Sequence, residues 1–399
     1  MKTMKNTKKM AALLLACVMV VSLFAGCGNT ENPAQTTTAV TEAVQVTETT
    51  AEPASEEASS PARHVGVIAD NGATVTVMDQ LSRVVEVPKN PKRIVDIQHH
   101  SMVMMLELGL EDRMIGVMSG YKSSLGDYMD KYYPELNDLP APGNLKEVNI
   151  EELVALEPDL VIFGHQLPAE YVQQMEDAGI PAIGFSMYVA DAGEAAKLDP
   201  TLSDADAAYE EGMLEAITAI GEICEVQDKA EALVGFIRDC RKIVADHVAN
   251  IPEEEKLTVY SASSNVLSTM GTGKYVDIMI NRAGAINVAG DMDGIVEVTM
   301  EQISLWDPQV VIISNRYPDA QTTILNDDVW AEISAVKNDM VLLTPEYVKP
   351  HGHPAPEAMC IGEMWLAATL YPDYFTDVDV DSYVARFYQE FMGGELIPD

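Results

Sequence analysis

A fifteen-residue unit occurs twice in this chain, and the two copies constrain the fold more than any other feature. Residues 148–162 read VNIEELVALEPDLVI, and residues 298–312 read VTMEQISLWDPQVVI. Five positions are identical, among them Glu151/Glu301 and Pro158/Pro308, and most others keep their apolar or polar character. Each copy opens on a helix N-cap residue, Asn149 or Thr299, with a capping-box partner three positions on, Glu152 or Gln302. Two short helical turns follow, and Pro158 or Pro308 then forbids helix continuation. The β-branched apolar runs 160–163 and 310–313 suit buried parallel strands. One helix–proline–strand unit in each half predicts two similar α/β lobes with a cleft between them.

The N-terminus has the layout of a secretory signal. Lys2, Lys5, Lys8 and Lys9 precede an apolar run over residues 10–24, then Ala25-Gly26-Cys27. That run is shorter than the roughly 20 residues of a permanent bilayer span. The small-small-Cys ending is similar to a bacterial lipobox, with Phe24 where Leu is usual, so residues 1–26 are expected to be removed and Cys27 lipidated. More than one acyl chain on Cys27 would suffice for stable membrane anchoring. Residues 27–64 hold no aromatic residue and no Lys or Arg before Arg63. Such a segment buries too little apolar surface to order itself and is expected to be a tether, reaching about 35 Å as a flexible coil.

Residues 1–26 contain four Lys and no acid, so the remainder carries 21 basic and 63 acidic residues, net −42. Nucleic acid and anionic lipid headgroups are poor partners for that charge. Beyond Cys27 stand Cys224, Cys240 and Cys360, with no CxxC spacing, which argues against a disulfide framework or a zinc knuckle. Cys224 and Cys240 lie in helical stretches and read as buried apolar residues.

Past the tether, a hairpin is expected at 74–78 and 84–87, then a core strand at 93–97 and a helix at 101–108 closed by Gly109. A strand at 114–118, the first repeat copy, a helix at 169–178 and a strand at 182–185 complete an N-terminal lobe, residues 65–225. From 203 to 250 apolar residues recur only at helical spacing, which predicts two helices broken near 225–228. The second, residues 226–250, is expected to be a stiff spine between the lobes. The C-terminal lobe, residues 251–399, mirrors the first: a strand at 257–261, a helix at 276–283, the second repeat copy and a strand at 340–343. Helices at 355–370 and 380–391 finish the chain. The fold class is therefore α/β, two lobes with mainly parallel sheets joined by one long helix.

Ligands of such sheets sit outside the carboxyl ends of the strands. Those ends carry His99 and His100, His165, Tyr188, Ser264 and Asn265, Arg316, Tyr347, and then His351 and His353. Five of the seven histidines fall there; His247 is on the spine and His64 on the tether side. Imidazole suits late first-row metals and phenolate suits ferric iron, so His99, His165, His351 and His353 are candidate metal contacts through a chelate. Arg316 could fork onto a carboxylate or catecholate. The alternative for each histidine is an ordinary loop residue, and for Arg316 a surface ion pair.

The stretch 87–95 (VPKNPKRIV), both repeat copies, and the tail from Leu370-Tyr371-Pro372 to Phe387-Tyr388 resemble the substrate-binding lipoproteins of iron-siderophore, haem and cobalamin ABC importers. The resemblance spans residues 72–394. It implies two lobes on a rigid helix, and capture of a metal chelate, most often a ferric siderophore, with haem, cobalamin or a histidine-ligated metal open. It implies no cofactor beyond that transported iron chelate, haem or corrinoid. The partners would be a permease dimer with its ATPase subunits, and the protein a monomer. By motif position, Glu151 and Glu301 would dock on the two permease subunits; their alternative role is to favour the helix dipole. A lipid-anchored metalloenzyme is the competing class. No HExxH, nucleophile elbow or GxxxxGK[ST] motif supports it.

Overall fold

The computed structural model describes residues 65–126, 129–190, 194, 197 and 200–397. The expected signal, Cys27, the tether and His64 lie outside the described residues. Two four-stranded parallel sheets form the centres of the lobes. The first consists of β4 (Ile94–Asp96), β5 (Met114–Gly116), β6 (Leu160–Gly164) and β7 (Ala182–Phe185), in the order β5-β4-β6-β7. The second consists of β8 (Thr258–Ala262), β10 (Ile286–Asn287), β12 (Val310–Ser314) and β13 (Val341–Thr344), in the order β10-β8-β12-β13. Both orders are the same permutation of consecutive parallel strands, so the lobes share one topology. A three-stranded antiparallel sheet of β1 (Gly66–Asp70), β2 (Thr74–Met78) and β3 (Val84–Pro88) flanks the first lobe. A two-stranded one, β9 (Ser268–Met270) with β11 (Ile295–Glu297), flanks the second.

The repeated unit takes the same form twice. Its helices are Ile150–Ala155 and Met300–Trp306, and its strands, β6 and β12, hold the third place in their sheets and are buried throughout. The Asn149 side chain accepts from the Glu152 amide at 3.1 Å, and the Thr299 hydroxyl from the Gln302 amide at 3.3 Å. The reciprocal half of the first capping box differs from expectation. The Asn149 amide donates to the Pro142 carbonyl at 2.7 Å, which leaves Glu152 to face the Asn149 side-chain amide at 3.4 Å. Glu157 and Asp307, 150 positions apart, both take the left-handed conformation before their prolines, with φ of 44° and 43°. Asp159 and Gln309 then accept the Arg93 and Thr258 amides at 3.0 and 3.1 Å. Each repeat is thereby locked to the first core strand of its lobe.

Between the lobes run two helices, Ala205–Ile223 and Gln227–Val248, packed on each other across a short turn. Arg241 of the second helix is buried. Its guanidinium donates to Glu363 at 2.6 Å and to the Met359 carbonyl at 3.3 Å, and lies 2.8 Å from Glu210. Gly212 of the first helix is pressed against the Tyr188 backbone, where a Cβ would come within 2.3 Å of the Tyr188 Cα. Some boundaries differ from the sequence expectation. The helix expected at 101–108 begins two residues earlier, as His99–Glu107, which puts His99 and His100 on its first turn. The expected long helix at 355–370 opens with a π-helical turn, Ala358–Gly362. Strands β1, β9, β10 and β11 lack enough alternating apolar residues to be read from the sequence.

Candidate functional site

The carboxyl ends of both central sheets face one cavity of about 230 Å³. Its lining brings together His99 and His100 after β4, Gln166 after β6, Arg316 after β12, and Lys349, His351 and His353 after β13. Ser123 and Ser124 complete it from the short helix Tyr121–Leu125. Among the described residues, every polar lining side chain can donate a hydrogen bond and none is a carboxylate.

Buried Asp96, at the end of β4, sets the first wall. It accepts from the Gln98 amide at 2.9 Å and the Ser101 hydroxyl at 2.7 Å, which fixes the turn that starts the histidine helix. The His99 and His100 rings stand 3.9 Å apart, and His353 lies 5.6 Å from His100. Burial, then the positive charges nearby, push His99 down to about 4 and His351 to about 3; burial and neighbouring histidines with Lys274 push His353 to about 3. Burial likewise drives His100 well below the usual imidazole range. Burial thus favours the neutral form of each ring, and among the described lining residues Arg316 and Lys349 carry the positive charge.

Arg316 spans the cleft. Its guanidinium donates to the Ser124 carbonyl at 2.5 Å and to the Ser123 carbonyl, and stands 3.3 Å from His351 Nε2. Lys349 holds a left-handed backbone, φ 44°, unusual for a residue with a side chain, and its buried ammonium pairs with Glu357.

Other expected site residues lie elsewhere. His165 and Tyr188 form an aromatic wall behind His353, with ring centroids 6.0 and 6.4 Å from it. Ser264 and Asn265 are exposed on the turn from β8 to β9, where Asn265 donates to Glu297 at 2.8 Å, so neither lines the cavity. Tyr347 is buried, its ring 6.5 Å from that of Tyr388, and is not part of the cavity lining. Sequence reasoning missed Ser123, Ser124, Gln166 and Lys349. It also missed Tyr209, whose ring packs 5.9 Å from His353. Gln166 and Lys349 adjoin histidines that the strand-end rule did find. The two serines belong to a five-residue helix, which no periodicity reveals. Among the described residues, no group of three or more His, Cys, Asp or Glu side chains is arranged to hold a metal ion. Of the residues expected to contact a metal through a chelate, His99, His351 and His353 line the cavity, and His165 stands next to His353.

A pair of α/β lobes sharing one topology, with a cleft at their strand ends, defines an extracytoplasmic solute-binding protein. Residues 94–348 match the family model described as periplasmic binding protein, and the chain belongs to that family. The molybdate-binding protein MolA of Haemophilus influenzae is 39% identical over 324 residues, 81% of this chain and 92% of its own. An ABC transporter substrate-binding lipoprotein of Bacillus subtilis, YvrC, is 27% identical over 92% of this chain and 98% of its own. The solved structure of MolA with bound molybdate superposes with a TM-score of 0.77, covering 81% of this chain and 99% of that one. The protein is the substrate-binding component of an ABC importer and not an enzyme. No helix among the described residues is long and apolar enough to cross a membrane.

Proposed function

We propose that this protein captures a small oxyanion of the molybdate class, rather than the ferric siderophore that the family resemblance suggested, and delivers it to a membrane permease. The observation that carries the reading is a cavity walled by two cations, two serines and four buried imidazoles, with no carboxylate among the described lining residues. Acceptor-rich anions are bound by such donor sets, Arg in particular through its planar fork. The concentration of positive charge is pronounced in a chain of net charge −38. A cavity of about 230 Å³ falls below the roughly 300–1,000 Å³ of pockets for drug-sized ligands, which disfavours haem or a corrinoid. The name of the molybdate-binding relative supports the same choice. One observation favours a second reading, a small anionic ferric chelate: a wider recess of about 510 Å³ shares Ser123, Leu125 and Arg316 with the cavity.

In this reading Cys27 carries the lipid, residues 28–64 tether the body, and residues 65–225 and 251–399 form lobes about the helix 226–250. The protein works as a monomer, and Glu151 and Glu301 meet the permease dimer with its ATPase subunits. Calorimetry and native mass spectrometry of the purified chain test the ligand, using molybdate, tungstate, sulfate, ferric citrate, hemin, cobalamin and divalent metals. One stoichiometric molybdate or tungstate adduct, unaffected by a chelator of divalent metals, is expected. Exclusive binding of ferric citrate would move the second reading to the front, and retention of a bare metal would sink both.

A further inference from the structure

Directly behind the cavity lies a buried acidic pair that ligand contact alone does not require. Lys349 reaches the cavity lining with 8% of its surface exposed, and its ammonium is paired to Glu357, itself 3% exposed. Glu107, the last residue of the histidine helix, is fully buried beside Glu357. Burial, then the neighbouring Glu357 charge, hold Glu107 well above the usual carboxylate range, so it keeps its proton. Two carboxyls packed this closely in a dry site cannot both ionise. One negative charge therefore remains, and the ion pair puts it on Glu357. The left-handed backbone of Lys349 and the hydrogen bond from the His351 amide to the Lys349 carbonyl at 2.8 Å shape the turn that carries this side chain, and the Glu357 pair holds its ammonium.

An anion bound in the cavity would share the Lys349 ammonium, which already pairs with Glu357. With two hydrogen-bond lengths between them, the two negative groups are roughly 6 Å apart. We propose that Glu357 is a built-in competitor of the cargo, sharing Lys349 with the bound anion and so weakening dianions more than monoanions. The inference rests on the oxyanion reading above. Its consequence is a site tuned for release: the cargo meets about one uncompensated positive charge, that of Arg316, instead of two. Glu357 acts through Lys349 and is a positioning residue for it.

Calorimetric titration of the full chain tests this with two tetrahedral probes, molybdate as the dianion and perrhenate as the monoanion. Glu357→Gln keeps the shape and the acceptor oxygen while removing the charge. It is expected to tighten molybdate on the order of tenfold and perrhenate about threefold, because Coulomb energy scales with ligand charge. In a Lys349→Met background the shared ammonium is gone, so the gain from Glu357→Gln is expected to disappear. Lys349→Met alone offers a second route, and is expected to weaken molybdate several-fold less than Arg316→Met does. Wild-type protein that binds neither probe overturns the oxyanion reading and this inference together. Wild-type binding with equal or weaker affinity in Glu357→Gln, or an equal gain for both probes, overturns the inference alone.

Discussion

The guanidinium of Arg316 donates to the carbonyl of Ser124, 192 residues away, at 2.5 Å, and so ties the strand end of one lobe to a helix of the other across the mouth of the cavity. A second bond to the Ser123 carbonyl makes the contact a fork. An ammonium cannot reproduce that planar geometry. Arg316→Lys should therefore keep the charge and lose the closure. Charge-assisted hydrogen bonds contribute about 1.5–3 kcal/mol each, so the oxyanion affinity of Arg316→Lys should fall about tenfold to a hundredfold in calorimetry. Wild-type affinity in this variant would show that closure through Arg316 does not contribute to capture.

Asp96 makes stability depend on pH in a defined direction. Burial pushes its carboxyl from the ordinary 3.8 up to about 8, against the pull of the Ser101 and Gln98 donors. In the unfolded chain the same group ionises near its ordinary value, so between these limits the native state holds the extra proton. Stability is then full below pH ~4 as far as this group is concerned, and is lost as pH rises toward 8. The loss should amount to a few kcal/mol, at most about 1.4 kcal/mol for each pH unit separating the folded and unfolded pKa. Urea unfolding at pH 5.5 and pH 8.5 should show the wild type weaker at the higher pH. Asp96→Asn should flatten that difference, and an unchanged slope would mean that Asp96 is ionised in the folded protein.

How much of this was legible in the sequence depends on what fixes each element. The repeat could be read because a buried parallel strand needs an unbroken apolar run, and because proline punctuates both copies at one place. His99, His100, Arg316, His351 and His353 followed from strand ends alone. The same rule failed for Ser264 and Asn265, since the chain after β8 turns into β9 and spends Asn265 on Glu297. It failed for Tyr347 because a tyrosine next to a strand can turn into the core, here toward Tyr388. Ser123 and Ser124 carry no local signal, and nothing in the sequence marks the acids Glu107 and Glu357 as buried. Ser123, Ser124 and Lys349, three of the donors on which the oxyanion proposal rests, are among the residues that strand ends did not mark.

Arg241 is the second place where a charge is committed to the interior. It fixes the helix Gln227–Val248 to Glu363 of the C-terminal lobe, and Tyr275 donates to the same carboxylate at 2.8 Å. Arg241→Met should strand Glu363 without its cation, and breaking a buried pair in this way costs about 3–5 kcal/mol. Arg241→Met/Glu363→Met removes both charges and should recover most of that loss. Chemical denaturation of the two variants checks the pair. Equal loss in both would assign the effect to packing.

Glu151 and Glu301 stand exposed at the same place in the two repeats, one residue into each helix. Asn149 and Thr299 make the caps by accepting from the Glu152 and Gln302 amides three residues on, and the Glu301 carboxylate also takes hydrogen bonds from its own amide and the Thr299 hydroxyl. Two matching charges on two lobes of one topology suit a partner built of two like subunits, as a permease dimer is. Removing them should therefore act on delivery and leave capture alone. In cells that depend on this importer, Glu151→Ala/Glu301→Ala should abolish uptake of the labelled anion, while the purified variant titrates it with wild-type affinity. Either single substitution should leave partial uptake, since one docking point remains. Normal uptake by the double variant would remove both residues from the docking surface, and a parallel loss of affinity would mean that the helices they begin help to shape the cleft.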